Sequence, residues 1–246
     1  MCVYRPWIRD PNIIPPESAK LNATGYSFPS GHSSSASAYL GALAWQNRKQ
    51  SFAFYGLIAL ILLVGFSRNY LGVHTPQDVV IGFACGVLSI VLAWSVLKWE
   101  QGGKNRDIGI LIASVIVIAL YLTYITCKSY PLDYDAEGKL LVDPQKMMLD
   151  SWASAGFYLG IVLSWFLEKR TLRFQPPTNA VVGLQRYIVG FILMIIINHY
   201  RYCFCSILSG GWEYFVPGFL SMLVLLYLYP ALFSSLESRN TKFDSQ

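Results

Sequence analysis

Charge is what this chain has least of. Lys, Arg, Asp and Glu together make 13% of its 246 residues, against about 25% in an average soluble domain. That shortfall excludes a water-exposed surface over most of the molecule. There is no low-complexity basic arm. The net charge of +5 calls for no nucleic acid, because cytoplasmic loops of membrane proteins carry extra Lys and Arg. Cysteine is also scarce: Cys2, Cys85, Cys127, Cys203 and Cys205 are odd in number and fit no zinc spacing. Cys85 falls in an apolar run and reads as packing. A disulfide among Cys127, Cys203 and Cys205 stays open, and the sequence does not pair them. Residues 1–30 are polar and Pro-rich, without the apolar h-region of a signal peptide. No internal repeat is visible.

Apolar runs fill the space that charge leaves. The chain is 54% hydrophobic, with a mean hydropathy of +0.42. A hydrocarbon core about 30 Å thick needs about 20 apolar helical residues. Seven candidate runs are present, at 33–46, 51–66, 76–98, 108–127, 151–167, 181–199 and 215–235. The expected fold is therefore all-α, a polytopic transmembrane bundle of about seven membrane helices. The first run is the weakest, and crosses only if Ser33–Ser37 face protein or water. Small residues recur at four-residue spacing at Ser33, Ser37 and Gly41, and again at Gly82 and Gly86. Such stripes let membrane helices approach closely, which predicts that the first and third runs pack together.

The loops set orientation. Arg48 and Lys49, then Lys98, Lys104 and Arg106, then Lys169, Arg170 and Arg173, then Arg239 and Lys242 fall on one side if all seven runs cross. The positive-inside rule makes that side cytoplasmic. Residues 1–30, 68–75, 128–150 and 200–214 are then outside, and the loop 129–150 is expected to cover that outer face. Trp7, Tyr26, Tyr70, Trp152, Trp212 and Tyr214 read as an interfacial belt. Arg186 is placed to snorkel, and His199 reads as interfacial. Asp133-x-Asp135-x-Glu137-Gly138 hints at a calcium loop, but its twelfth position is Pro144 where a Glu ligand belongs.

Two clusters carry chemistry. Phe28-Pro29-Ser30-Gly31-His32 opens the first run, and Ser67-Arg68 leads through His74 to Asp78 at the start of the third. Helix N-termini present free N–H groups and partial positive charge, which suits phosphate. Gly31 permits close backbone approach, and Arg68 offers a fork for phosphate oxygens. Thr75, Pro76 and Asp78 fit the N-cap, first and third positions of a capped helix. Asp78 therefore either caps that helix or holds His74. A carboxylate on one imidazole nitrogen fixes the tautomer and frees the other nitrogen as nucleophile or base. His32 is either an interfacial polar residue or an acid that protonates a leaving alkoxide.

Pro29-Ser30-Gly31-His32, followed by Ser67-Arg68, His74 and Asp78, resembles the second and third signature motifs of the type-2 phosphatidic acid phosphatase and vanadium haloperoxidase superfamily. The resemblance covers about residues 5–98. It implies a phosphatidic acid phosphatase type 2-like core, with His74 as the nucleophile that forms a phosphohistidine. Asp78 would be its orienting carboxylate and His32 the acid. Arg5, Ser30, the Gly31 amide and Arg68 would form the phosphate cradle, with no metal or other cofactor. Arg5-Pro6 matches the end of the first motif, whose lysine would fall two positions before residue 1. The expected chain is an N-terminally truncated member, with a mobile loop around Arg5 and weak or no activity.

The expected domains are a catalytic core over 1–98 and a four-helix transmembrane extension of the same membrane domain over 99–246. That extension resembles the larger lipid-phosphate and sphingoid-phosphate phosphatases. The implied activity is hydrolysis of a lipid phosphate or diphosphate: isoprenoid diphosphate, then phosphatidate or phosphatidylglycerol phosphate, then sphingoid-base phosphate. The site is expected on the extracytoplasmic face of a bacterial plasma membrane. The partners are the lipid substrate and the bilayer, and oligomeric state is not readable. An inactive membrane fragment and a vanadate-dependent haloperoxidase are the rival readings.

Overall fold

The computed structural model describes residues 2–135, 138, 140–172, 174–177, 179–200 and 208–235. Helices dominate: α1 (Pro6–Arg9), α2 (Glu17–Asn22), α3 (Gly31–Gln46), α4 (Ser51–Tyr70), α5 (Pro76–Gln101), α6 (Arg106–Cys127), α7 (Pro144–Leu167), α8 (Ala180–Tyr200) and α9 (Trp212–Leu223). Among the described residues no strand forms, and Tyr134 and Leu140 make an isolated antiparallel bridge. Single turns of π-helix follow α7 at Glu168–Leu172 and α9 at Val224–Leu228.

A helix lies at each of the seven apolar runs. Five are long and apolar enough to cross a membrane: Ser51–Tyr70, Pro76–Gln101, Arg106–Cys127, Ala180–Tyr200 and Trp212–Ser235. The chain is thus an integral, multi-pass membrane protein. Helix α3, with 16 residues, rises about 24 Å, short of the hydrocarbon thickness. Helix α7 begins seven residues before the apolar run and carries Lys146 and Asp150 in that extension. Two short helices that the hydropathy pattern does not predict, α1 and α2, precede α3.

Residues 1–103 and 129–144 form one compact unit, and residues 104–128 and 145–246 form another. The 129–144 segment therefore returns to the first unit.

In the first unit, α3 lies against α4 and α5. Added Cβ atoms explain the glycines of α5. At Gly82 one would stand 2.7 Å from the Ser30 carbonyl oxygen, and at Gly86 2.6 Å from that of Ser34. Ser37 donates its hydroxyl to the Phe83 carbonyl at 3.0 Å. Small residues thus let two backbones meet, and a polar stripe on α3 finds partners on α5. Ser33 and Ser37 are buried here. Cys85 instead sits on the exposed face of α5, so it is not the packing residue its apolar surroundings suggest. The 129–144 segment reaches the N-terminal segment: the Tyr4 hydroxyl donates to Asp133, which pushes the phenol up to about 12.

In the second unit, Ile118, Leu122, Ile125, Ala155 and Phe215 form the core, with Trp152 and Phe219 against it. Arg170 grips Asp107 through both carboxylate oxygens, at 2.6 and 2.9 Å, the bidentate form that suits a guanidinium. Arg186 lies over the Phe233 ring at 4.1 Å. Among the cysteines, Cys2, Cys85 and Cys127 are free thiols, while Cys203 and Cys205 lie outside the described residues.

Candidate active site

Helix α4 ends in a motif that aims the next residues back at the bundle. Gly72 takes φ +65°. Its amide donates to the Asn69 carbonyl at 2.9 Å, and the Val73 amide to that of Arg68 at 3.2 Å. This is the Schellman arrangement, which requires a left-handed residue best supplied by glycine. The turn buries Val73 and His74, and Asn69 pins the His74 carbonyl at 2.9 Å. Thr75 then caps α5. Its hydroxyl accepts from the Asp78 amide, and the Asp78 carboxylate accepts from the Thr75 amide at 2.7 Å, with Pro76 in the first turn. The capping box read from the sequence is therefore present.

Asp78 also does more than cap. The oxygen that accepts from Thr75 lies 3.6 Å from His74 Nδ1, beyond a hydrogen bond but in ion-pair range. It further accepts the Ser27 hydroxyl at 2.5 Å. Capping and facing the histidine are not alternatives here, because one carboxylate oxygen does both.

Arg5 also approaches the ring: its Nη1 lies 2.8 Å from His74 Nε2 and 3.4 Å from Nδ1. A guanidinium can only donate. The Asp78 carboxylate on the Nδ1 side favours the ring proton on Nδ1, the tautomer that leaves the lone pair on Nε2. Burial and the Arg5 charge push His74 down to about 4, so the imidazole is neutral at physiological pH with its lone pair on Nε2. Arg5 is itself buried. Its Nε donates to the Gly25 carbonyl at 2.8 Å and its Nη1 to that of Val73 at 3.0 Å. Three residues on two loops, Gly25, Val73 and His74, hold this guanidinium. Burial depresses Arg5 from its ordinary value, and a guanidinium stays charged regardless.

A cavity of about 280 Å³ opens beside these groups, lined by Arg5, His32, Arg68 and His74 together with Ser18, Asn22 and apolar residues. Two histidines and two arginines from four separate stretches of chain thus share one space. Arg68 is half-buried, and its Nε donates to the Ser67 hydroxyl at 3.2 Å. Gly31 is exposed, and a Cβ there would meet nothing within 4 Å. Ser30 is not brought into the lining. Its side chain is wholly buried and caps α3, accepting from the Ser33 amide at 3.4 Å and the Ser33 hydroxyl at 2.9 Å. His199 belongs to α8 in the other unit, with its ring edge-on to Tyr200 at 4.7 Å.

Sequence reasoning missed Ser27, Asn69 and α2. Ser27 stands one residue outside the quoted cluster, Asn69 within the Arg68–His74 spacer, and α2 has no apolar periodicity to betray it.

The fold and the site define a multi-pass membrane protein with a histidine–arginine pocket lined by α2, the start of α3, the end of α4 and the turn that follows it. Residues 1–101 match the PAP2 superfamily, and residues 152–241 match the PAP2 superfamily phosphatase, transmembrane extension. The chain thus carries a stretch similar to the PAP2 superfamily domain and one similar to its transmembrane extension. A phosphatidylglycerophosphatase B of Bacillus subtilis (strain 168) is 34% identical over 100 residues, covering 37% of this chain and 47% of its own. A sphingosine-1-phosphate phosphatase 1 of Rattus norvegicus is 27% identical over 205 residues, covering 78% of this chain and 46% of its own. The chain spans about half the length of these curated relatives. No solved structure matches it.

Proposed function

We propose that the protein is a membrane phosphatase that hydrolyses a lipid phosphate or diphosphate through a phosphohistidine on His74. The observation that carries this reading is that His74 lines one cavity with His32, Arg5 and Arg68 and has the Asp78 carboxylate 3.6 Å from its Nδ1. A phosphate entering the cavity draws the Arg5 guanidinium off Nε2 and onto an anionic oxygen. Nε2 then attacks phosphorus, and the phosphorus–ester oxygen bond breaks. The departing alkoxide takes a proton from His32. Asp78 balances the positive charge that develops on the ring, and the Nδ1 proton stays in place. In the second step His32 takes a proton from water as the water attacks phosphorus. The P–N bond breaks and inorganic phosphate leaves. Arg5 and Arg68 meet the charge on the phosphoryl oxygens, the type of stabilisation worth about 10²–10³-fold per donor.

The phosphatidylglycerophosphate and sphingosine-1-phosphate specificities in the relatives' names favour a lipid monoester as substrate, ahead of the isoprenoid diphosphate. The site would face the extracytoplasmic side, on the argument of loop charge. The deciding experiment is acid-sparing quench of the purified protein with ³²P-labelled phosphatidylglycerophosphate, phosphatidate, sphingoid-base phosphate and isoprenoid diphosphate, followed by peptide mapping. Label on the His74 peptide, lost in His74→Ala, is expected. Turnover in His74→Ala equal to that of the wild type would sink the mechanism.

A further inference from the structure

We infer that Ser27 is a positioning residue for His74: its hydroxyl fixes the Asp78 carboxylate in the orientation that faces the imidazole. This rests on the phosphotransfer reading of the same site. Ser27 is 1% exposed and does not line the cavity, so it acts through Asp78 and not on a substrate.

The geometry makes Ser27 a junction. Its hydroxyl donates to Asp78 Oδ2 at 2.5 Å, the oxygen that also takes the Thr75 amide at 2.7 Å and stands 3.6 Å from His74 Nδ1. Its carbonyl faces the His74 ring. Its amide donates to the Val3 carbonyl at 2.7 Å, two residues before Arg5. Gly25, two residues earlier, accepts from Arg5 Nε. Ser30, three residues later, donates its amide to the Asp78 carbonyl at 3.0 Å. The stretch 25–30 therefore touches the arginine, the histidine and the carboxylate. Apart from the Ser27 hydroxyl, each of these links runs through the backbone of the stretch, so a side-chain substitution leaves it in place.

A carboxylate oxygen with one amide donor retains freedom to swing about its terminal torsion. A second, buried donor from another element removes that freedom. It also draws negative charge off Oδ2, so the pull of Asp78 on a proton at His74 is moderated. The charged and titratable groups facing His74 are Arg5, Asp78 and His32. Of these, Asp78 alone favours the imidazolium. Deleting the Ser27 hydroxyl therefore raises the pH at which His74 takes a second proton, and misaligns the neutral ring for attack.

The experiment uses the full chain in detergent, as wild type, Ser27→Ala, Ser27→Thr and Ser27→Cys. His74 protonation is read from its rate of acylation by diethyl pyrocarbonate between pH 4 and 8, followed by mass spectrometry, and kcat and KM are measured on a lipid phosphate. In Ser27→Ala the acylation midpoint should rise by about half a pH unit or more, and kcat should fall about tenfold with KM within about twofold. Ser27→Thr, which keeps the hydroxyl, should restore both. Ser27→Cys, with only a weak donor, should behave as alanine does and serves if that variant does not fold. A midpoint unchanged in Ser27→Ala and Ser27→Cys, or threonine no better than alanine, overturns the assignment and leaves a hydroxyl that merely satisfies a buried carboxylate. Acylation needs no turnover. If the wild type releases no phosphate, the phosphatase reading falls while the His74 midpoint still decides for or against Ser27.

Discussion

At the residue scale, the site is governed by the balance of two charges about one imidazole. Burial lowers His74 most, Arg5 at 2.8 Å from Nε2 adds to it, and Asp78 at 3.6 Å from Nδ1 opposes both. His74 is held down to about 4 in the fold, below the ordinary value of about 6.5. Between those values the unfolded chain binds more protons than the folded one. Stability contributed by neutral His74 is therefore present above about pH 6.5 and is lost as pH falls toward about 4. The melting temperature in detergent should drop between pH 7 and pH 5, and His74→Gln should blunt that drop; an equal drop in both proteins would refute the linkage. For turnover, the acid limb of kcat/KM should lie below the ordinary histidine range, since it reports the free enzyme. Asp78→Asn keeps an acceptor for the Thr75 amide but removes the charge facing Nδ1. It should lower kcat by at least about tenfold with little change in melting temperature. Loss of the fold in that variant would mean that the Asp78 charge holds the structure and does not act on turnover alone.

At the element scale, two devices place the histidines. The glycine turn after α4 and the Thr75–Asp78 box before α5 fix His74 between two helix ends. The glycine stripe of α5 then brings the start of α3, with His32, alongside. A side chain at Gly86 would collide with the Ser34 carbonyl and with Ser37 Cβ, each 2.6 Å from the added atom. Neither is a flexible chain end that could give way. Gly86→Leu should force α3 off α5. The cost is expected to reach or exceed about 1–3 kcal/mol, the usual cost of overpacking. It should also abolish turnover although no site residue has changed. Thermal melting and phosphate release on the same preparation test this, and full activity would show that the α3–α5 contact does not hold the pocket. Gly56, beside which an added Cβ meets nothing within 4 Å, is the control: Gly56→Ala should leave both readings unchanged.

At the scale of the whole molecule, the claim at stake is the side of the membrane. Five helices are long and apolar enough to cross, and on the positive-inside rule Arg48, Lys49, Lys98 and Lys104 would put their loops on the cytoplasmic side. In a chain cleared of native cysteines, Asn69→Cys should react with a membrane-impermeant thiol reagent from outside, and Gln50→Cys only after permeabilisation. These positions lie at opposite ends of α4. Labelling of both from outside would remove the case for an extracytoplasmic site. Labelling of Gln50→Cys alone from outside would invert the topology.

What the sequence determined by itself follows from local rules. Hydropathy over about 20 residues places membrane helices because an unpaired backbone cannot sit in lipid, and the helices lie where the apolar runs are. A capping box needs Thr75, Pro76 and Asp78 at fixed offsets, and so is legible three residues at a time. The small-residue stripes signalled close approach because only missing side chains allow it. Tertiary structure alone decided the partners brought from far along the chain. Nothing local says that Ser27 donates to Asp78, 51 residues away, or that Arg5 takes the nitrogen of His74, 69 residues away. Nor could Ser30 be told from a substrate ligand, because a serine before a helix serves a cap and an anion with the same atoms. Short helices such as α1 and α2 escape for a related reason. They bury little apolar surface of their own, so their periodicity is weak.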